Sequence, residues 1–105
     1  SAGPGYAEAE LEIKDIHLNG VGIVQGGVTY TLADLAFAAA SNAAGKKTLG
    51  IQSGITYFKP PKGKILRAEA REVSSSRKLC SYRIDVYDEF GTRVAQMTAM
   101  GYMKE

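Results

Sequence analysis

Residues 28–45 read VTYTLADLAFAAASNAAG, and their pattern decides the fold. Alanines, leucines and Phe37 fall on nearly every side of a helical turn, so the stretch predicts a buried helix from Val28 to Ala44 that is not amphipathic. Gly45 is placed to end it. At 1.5 Å per residue, these 17 residues span about 25 Å, enough to cross a sheet. Asp34 is the single charge in the stretch. A carboxylate set in an apolar helix costs free energy unless it is neutralised or used, so Asp34 calls for an explanation.

Strand patterns surround the helix. From Tyr6 to Ile16 the chain alternates, with Ala7, Ala9, Leu11 and Ile13 on one face and Glu8, Glu10, Glu12 and Lys14 on the other. After the Gly45-Lys46-Lys47 turn come four strand-like segments, Leu49 to Phe58, Lys64 to Val73, Leu79 to Tyr87 and Thr92 to Met103. The breaks between them are Pro60-Pro61-Lys62-Gly63, Ser74-Ser75-Ser76 and Asp88-Glu89-Phe90-Gly91. In the third segment Cys80, Tyr82, Ile84 and Val86 share a dry face, opposite Ser81, Arg83 and Asp85. A strand, a long helix and then four antiparallel strands imply an α+β domain, a sheet of about five strands wrapped around one buried helix. Residues 6–105 are expected to form this single domain, and residues 1–5 a disordered start or a cloning scar.

Composition narrows the function classes. With 105 residues the chain fits one domain with a modest core, which makes association attractive. Thirteen basic against eleven acidic side chains give a net charge of +2, too weak and too dispersed for a nucleic-acid-binding surface. One cysteine, Cys80, and one histidine, His17, can form neither an internal disulfide nor a metal cluster, so no metal or cofactor is expected. The longest apolar run is interrupted by Asp34 and falls short of a membrane span, and the start SAGPGY lacks the pattern of a signal peptide. A reducing, cytoplasmic setting follows as the expectation, with no membrane partner.

The segment HLNGVGIVQGGVTYTLADLAFAAASNAAG, followed by ITYFKPPKG, closely resembles the PaaI-like thioesterases, the phenylacetic-acid-degradation type of the hotdog fold. The resemblance covers nearly all of residues 6–103, and its specific part is an asparagine, a Gly-Gly pair and a Leu-Ala-Asp on the following helix. Two departures stand out. Gln25 occupies the place where the family usually has the histidine of His-Gly-Gly, and the family's extra N-terminal helix before the first strand is absent here. The resemblance implies a homodimer or a tetramer of dimers with shared active sites. It also implies that the nucleotide end of coenzyme A lies near the loops that carry Lys59, Lys62, Arg77 and Lys78, whose cations would meet its phosphates.

The residues themselves fit thioester hydrolysis. Backbone amides at a helix start donate to a developing oxyanion, and Gly26 and Gly27 occupy that place without side chains that would block an acyl carbonyl. Asp34 suits either general base or nucleophile, and Asn19 would hold the water or the thioester through its amide. If the helix starts at Gly26, Asp34 lies eight residues on, about 12 Å away, too far for one carbonyl carbon to touch both. The expectation is therefore a site shared across a two-fold axis, with Asp34 from one subunit and Asn19, Gln25 and Gly26 from its mate. The implied activity is hydrolysis of an acyl or aryl-acyl CoA to the free acid and coenzyme A. The alternatives are a non-catalytic acyl-CoA-binding module, or a thioesterase acting on acyl-carrier protein. His17 reads as a solvated surface histidine, Cys80 as core, and Tyr57, Tyr82 and Tyr102 as sheet packing.

Overall fold

The computed structural model describes residues 2–20, 22–43 and 45–104; Ser1, Val21, Ala44 and Glu105, which fall within the spans assigned from sequence, lie outside them. Helix α1 occupies Gly26–Asn42, the 17 residues expected but displaced two toward the N-terminus, because the two glycines form its first turn. Gln25 precedes it with extended backbone. At the other end the chain reverses at Gly45, whose φ of +91° is a conformation that glycine adopts without strain.

The strands are β1 (Ala2–Gly3), β2 (Tyr6–Glu12), β3 (Lys47–Tyr57), β4 (Ile65–Ser75), β5 (Leu79–Asp88) and β6 (Arg93–Lys104). They form one antiparallel sheet in the order β1-β2-β4-β5-β6-β3, so β3 lies at an edge. With the helix against one face this is the hotdog architecture, in six strands where about five were expected. The additional strand comes from the supposed disordered start: Ala2 and Gly3 fold back and pair with Ala7 and Tyr6. β2 stops at Glu12, short of Ile16, because Asp15–His17 close into a short 3-10 helix. His17 N donates to Lys14 O at 2.8 Å, and Lys14 N donates to His17 Nδ1 at 2.8 Å.

Small residues let the helix settle closely on the sheet. Leu32, Ala33, Ala36, Phe37 and Ala40 meet a floor that includes Ala68 and Ala70 of β4, Ile84 and Val86 of β5, and Met97 of β6. The expected alternation of β5 holds, with Cys80, Tyr82, Ile84 and Val86 all buried. On the sheet's other face Asp85 accepts from Gln96 Nε2 at 2.9 Å and pairs with Arg83 and Arg93 at 3.3 and 3.4 Å. The expectation of a helix buried all round fails. One sheet covers one side of a cylinder roughly 10 Å across, and Thr31, Asp34, Leu35, Ala38 and Ala39 are exposed. Leu35 keeps 59% of its surface accessible.

Candidate active site

The glycine turn is the product of a braced loop. Leu18 and Val24 bridge across it, Gln25 N donates to His17 O at 2.9 Å, and Asn19 N donates to Ile23 O at 2.7 Å. Asn19 shapes the tip: its Oδ1 accepts from Ile23 N at 3.1 Å and its backbone carbonyl from Gly22 N at 3.0 Å. The side-chain amide of Gln25 turns back to donate to Leu18 O at 3.1 Å and gives α1 no side-chain cap. Gln25 thus carries a structural bond at the position where the resembled family has an imidazole. Beyond it Gly26 and Gly27 are the first two residues of the helix, where amides have no carbonyl a turn earlier to bind. Two such donors at the positive end of a 17-residue helix make a place for an oxyanion.

Asp34 opens elsewhere. It lines a cavity of about 510 Å³ between α1 and the edge strand, beside Tyr30, Ser41, Thr48, Gln52 and Ser53. Tyr30, one turn before Asp34, has its hydroxyl bonded to that of Ser53. The carboxylate is therefore exposed at the wall of a polar cavity, and the expectation that the apolar helix buries it is corrected. Ala33 and Leu35 flank it in sequence, but its side of α1 overhangs the edge strand and is not covered by the sheet.

Gly26 lines a second cavity, about 350 Å³, with Thr29, Tyr57, Lys59, Pro60 and Pro61. Gln25 and Gly27 line a third, about 360 Å³, with Leu11, His17, Val28 and Leu32. Asp34 and the glycines therefore line different cavities of the described chain, in keeping with their spacing along the helix. Lys59 stands at the glycine end of α1, and Lys62 follows on the same loop, where its backbone amide donates to Asp88 Oδ2 at 3.1 Å. Arg77 and Lys78 occupy the β4–β5 turn. Their neighbours Ser75, Ser76 and Cys80 line a cavity with Ser41 and Lys46 at the helix's far end. One chain does not unite the two pairs of cations.

Two side chains near the site differ from the sequence reading, and two more were not singled out by it. His17 is half-buried rather than solvated, and it shares its cavity with Gln25 and Gly27. Tyr57 lies at the end of β3 on the helix-facing side, opposite Ala95, yet stays half exposed, and its hydroxyl donates to Gly26 O at 2.9 Å. Neither Ser53 nor Tyr30 beside Asp34 is singled out by the sequence reading: Ser53 carries no signal there, whereas the one-turn spacing of Tyr30 from Asp34 could have found it. Cys80 is buried core, as expected, and burial pushes its thiol up, away from thiolate reactivity. Among the described residues no group of histidine, cysteine or carboxylate side chains could hold a metal ion, and no helix is long and apolar enough to cross a membrane.

Comparison with known proteins places this geometry. A candidate esterase of Archaeoglobus fulgidus is 42% identical over 92 residues, 87% of this chain and 60% of that protein, so the chain spans three fifths of that relative's length. A mutant form of the phenylacetic acid degradation protein PaaI from Thermus thermophilus superposes with a TM-score of 0.91. It is 36% identical, over 97% of this chain and 88% of that one. A Streptococcus mutans protein, solved bound to acetyl CoA, gives a TM-score of 0.92 at 27% identity, over 99% of this chain and 85% of that one. Residues 21–95 match the sequence model of the thioesterase superfamily, which takes in the glycine turn, Asp34 and the edge strand: the chain belongs to the thioesterase superfamily, in its PaaI-like branch.

Proposed function

We propose that this chain hydrolyses an acyl or aryl-acyl CoA to the free acid and coenzyme A, in a site assembled between two copies. The observation that carries the reading is the division of the machinery: amide donors at Gly26 and Gly27, and a carboxylate at Asp34 that opens into a different cavity. The 12 Å or so between them along α1 rules out their meeting on one carbonyl carbon within a chain. The edge strand β3 supports a second copy as the answer. No further strand pairs with its outer backbone among the described residues, and it exposes Leu49 and Ile51, the latter at the Asp34 cavity.

In this arrangement the Gly26 and Gly27 amides of one subunit hold the thioester oxygen. Asp34 of the other either takes a proton from the water that attacks the carbonyl, or attacks the carbonyl itself to give an acyl anhydride that water then cleaves to the acid; in both cases the carbon–sulfur bond breaks and the thiolate of coenzyme A departs. Asn19 and Gln25 keep the glycine turn in shape. The Lys59 and Lys62 loop of one subunit, with the Arg77 and Lys78 turn, supplies cations for the phosphates of coenzyme A. The S. mutans relative's bound acetyl CoA supports this ligand class.

The test is a hydrolysis screen of the purified protein with short, long and aromatic acyl-CoAs, run beside Asp34→Asn. Turnover of at least one class is expected, with kcat lowered at least about a hundredfold in the variant, the scale of a lost general base. Coenzyme A binding without turnover of any substrate would identify a non-catalytic binding module. Turnover confined to acyl-carrier-protein thioesters would reassign the carrier.

A further inference from the structure

We propose that Tyr57 is a positioning residue of the thioester site, a clamp that reaches from the end of β3 to the Gly26 carbonyl and fixes where Gly26 and Gly27 aim their amides. This rests on the reading of those amides as the oxyanion donors. A glycine pair is the least restrained backbone available, and donors that must be preorganised gain nothing from that freedom unless something removes it.

The structure removes it from both sides. The peptide before Gly26 is tied down through Gln25 O, which accepts from Val28 N at 3.0 Å and Thr29 N at 3.5 Å. The peptide after it is tied down by Tyr57, whose hydroxyl donates to Gly26 O at 2.9 Å. In a planar trans peptide the oxygen and the following N–H point opposite ways, so a donor seated on Gly26 O directs the Gly27 N–H away from Tyr57. Gly27 lines the cavity with Gln25, and Gly26 the one with Tyr57. The same bond draws charge along the amide and strengthens its N–H as a donor.

Tyr57 is built to hold still. It pairs with Ala95 in the β3–β6 ladder, and the next residue, Phe58, donates its amide to Val94 O at 2.8 Å. Packing does not account for it, because 51% of its surface is accessible. Its ring also explains the residue it clamps. A Cβ added at Gly26 would lie 3.2 Å from both Cζ and the hydroxyl oxygen of Tyr57, closer than a side chain settles without displacing its neighbour. Clamp and glycine form a matched pair, 31 residues apart in sequence.

Tyr57→Phe keeps the ring and deletes the bond. Its kcat should fall about five- to tenfold, the scale of one lost hydrogen bond, with KM and the Kd for free coenzyme A within twofold. The amide resonances of Gly26 and Gly27 should shift or broaden in ¹H–¹⁵N spectra while those of β4 and β5 stay put. Unchanged kcat with unchanged glycine resonances overturns the clamp, as does a loss of activity matched by a general loss of dispersion. Asp34→Asn separates the two readings: if it abolishes turnover while Tyr57→Phe is normal, only the clamp fails. If Asp34→Asn is neutral or the unsubstituted protein turns over no thioester, the site reading fails and the clamp fails with it.

Discussion

Tyr82 shows how one residue's surroundings set a measurable property of the fold. Its ring meets Phe37 edge-on at 5.4 Å, and its hydroxyl lies 3.3 Å from Glu72 Oε2 and 3.4 Å from Ala40 O. Burial, and then the neighbouring Glu72 charge, push the phenol up to about 12. The unfolded chain titrates near 10, so below that pH both states keep the proton and the contribution to stability is whole. Between roughly 10 and 12 the unfolded state loses its proton first and binds fewer than the folded state, so stability falls as pH rises. Urea midpoints at pH 8 and pH 11 should fall further for the parent protein than for Tyr82→Phe, in which shifts from the other tyrosines and Cys80 are retained and cancel in the comparison. Equal falls would mean that Tyr82 does not carry the effect. At this scale the sequence was readable where one residue type stood out. A lone carboxylate in an apolar stretch pointed to Asp34, but no pattern in the chain says how many sides of a helix are covered, and the inferred burial of Asp34 was wrong. Tyr57 was misread for a related reason. Alternation assigns a face to a strand residue, whereas its bond to Gly26 depends on where the helix begins.

Elements were legible where periodicity was strong. The helix kept its length and slid by two residues, and β3 to β6 fell close to the expected spans because apolar alternation has to match the face that meets α1. The ends were not legible. The β2 pattern runs on to Ile16, yet Lys14 and His17 close a turn there by hydrogen bonds that hydropathy does not encode. The β1 hairpin rests on Gly5, at φ +76°, in a stretch too short to show a period. Gly101, in the middle of β6, explains how α1 and the sheet come so close. A Cβ there would lie 2.5 Å from Thr48 Cγ2, 3.1 Å from Cys80 Sγ and 3.2 Å from Phe37 Cζ. Gly101→Ala should overpack this junction of β3, β5, β6 and α1 and cost about 1–3 kcal/mol. For a chain of this size that is a fall in Tm of roughly 4–8 °C per kcal/mol. A calorimetric Tm within a degree of the parent would show that Thr48 and Phe37 give way freely.

At the scale of the molecule, three features of the chain support the proposed second copy. The outer side of α1 carries exposed Leu35, β3 ends the sheet with no further strand among the described residues, and the helix separates Asp34 from the amides it is proposed to serve. Composition could suggest association through the modest core, and spacing could argue against a single-chain site, but the face proposed to pair depends on which strand the topology leaves at the edge. Subunit mixing tests the shared site directly. Asp34→Ala and Asn19→Ala proteins should each be impaired. In a hybrid dimer one site takes its carboxylate from the Asn19→Ala chain and its loop from the Asp34→Ala chain, and so carries neither lesion; the other site carries both. Random exchange makes half the dimers hybrid with one good site each, so activity should recover to about a quarter of the parent's. The controls are each variant alone and a mixture in which tagged subunits prove exchange. With exchange proven and no recovery, Asp34 and Asn19 would have to serve the same thioester from a single chain, which the length of α1 forbids unless the helix start is not where the oxyanion is held.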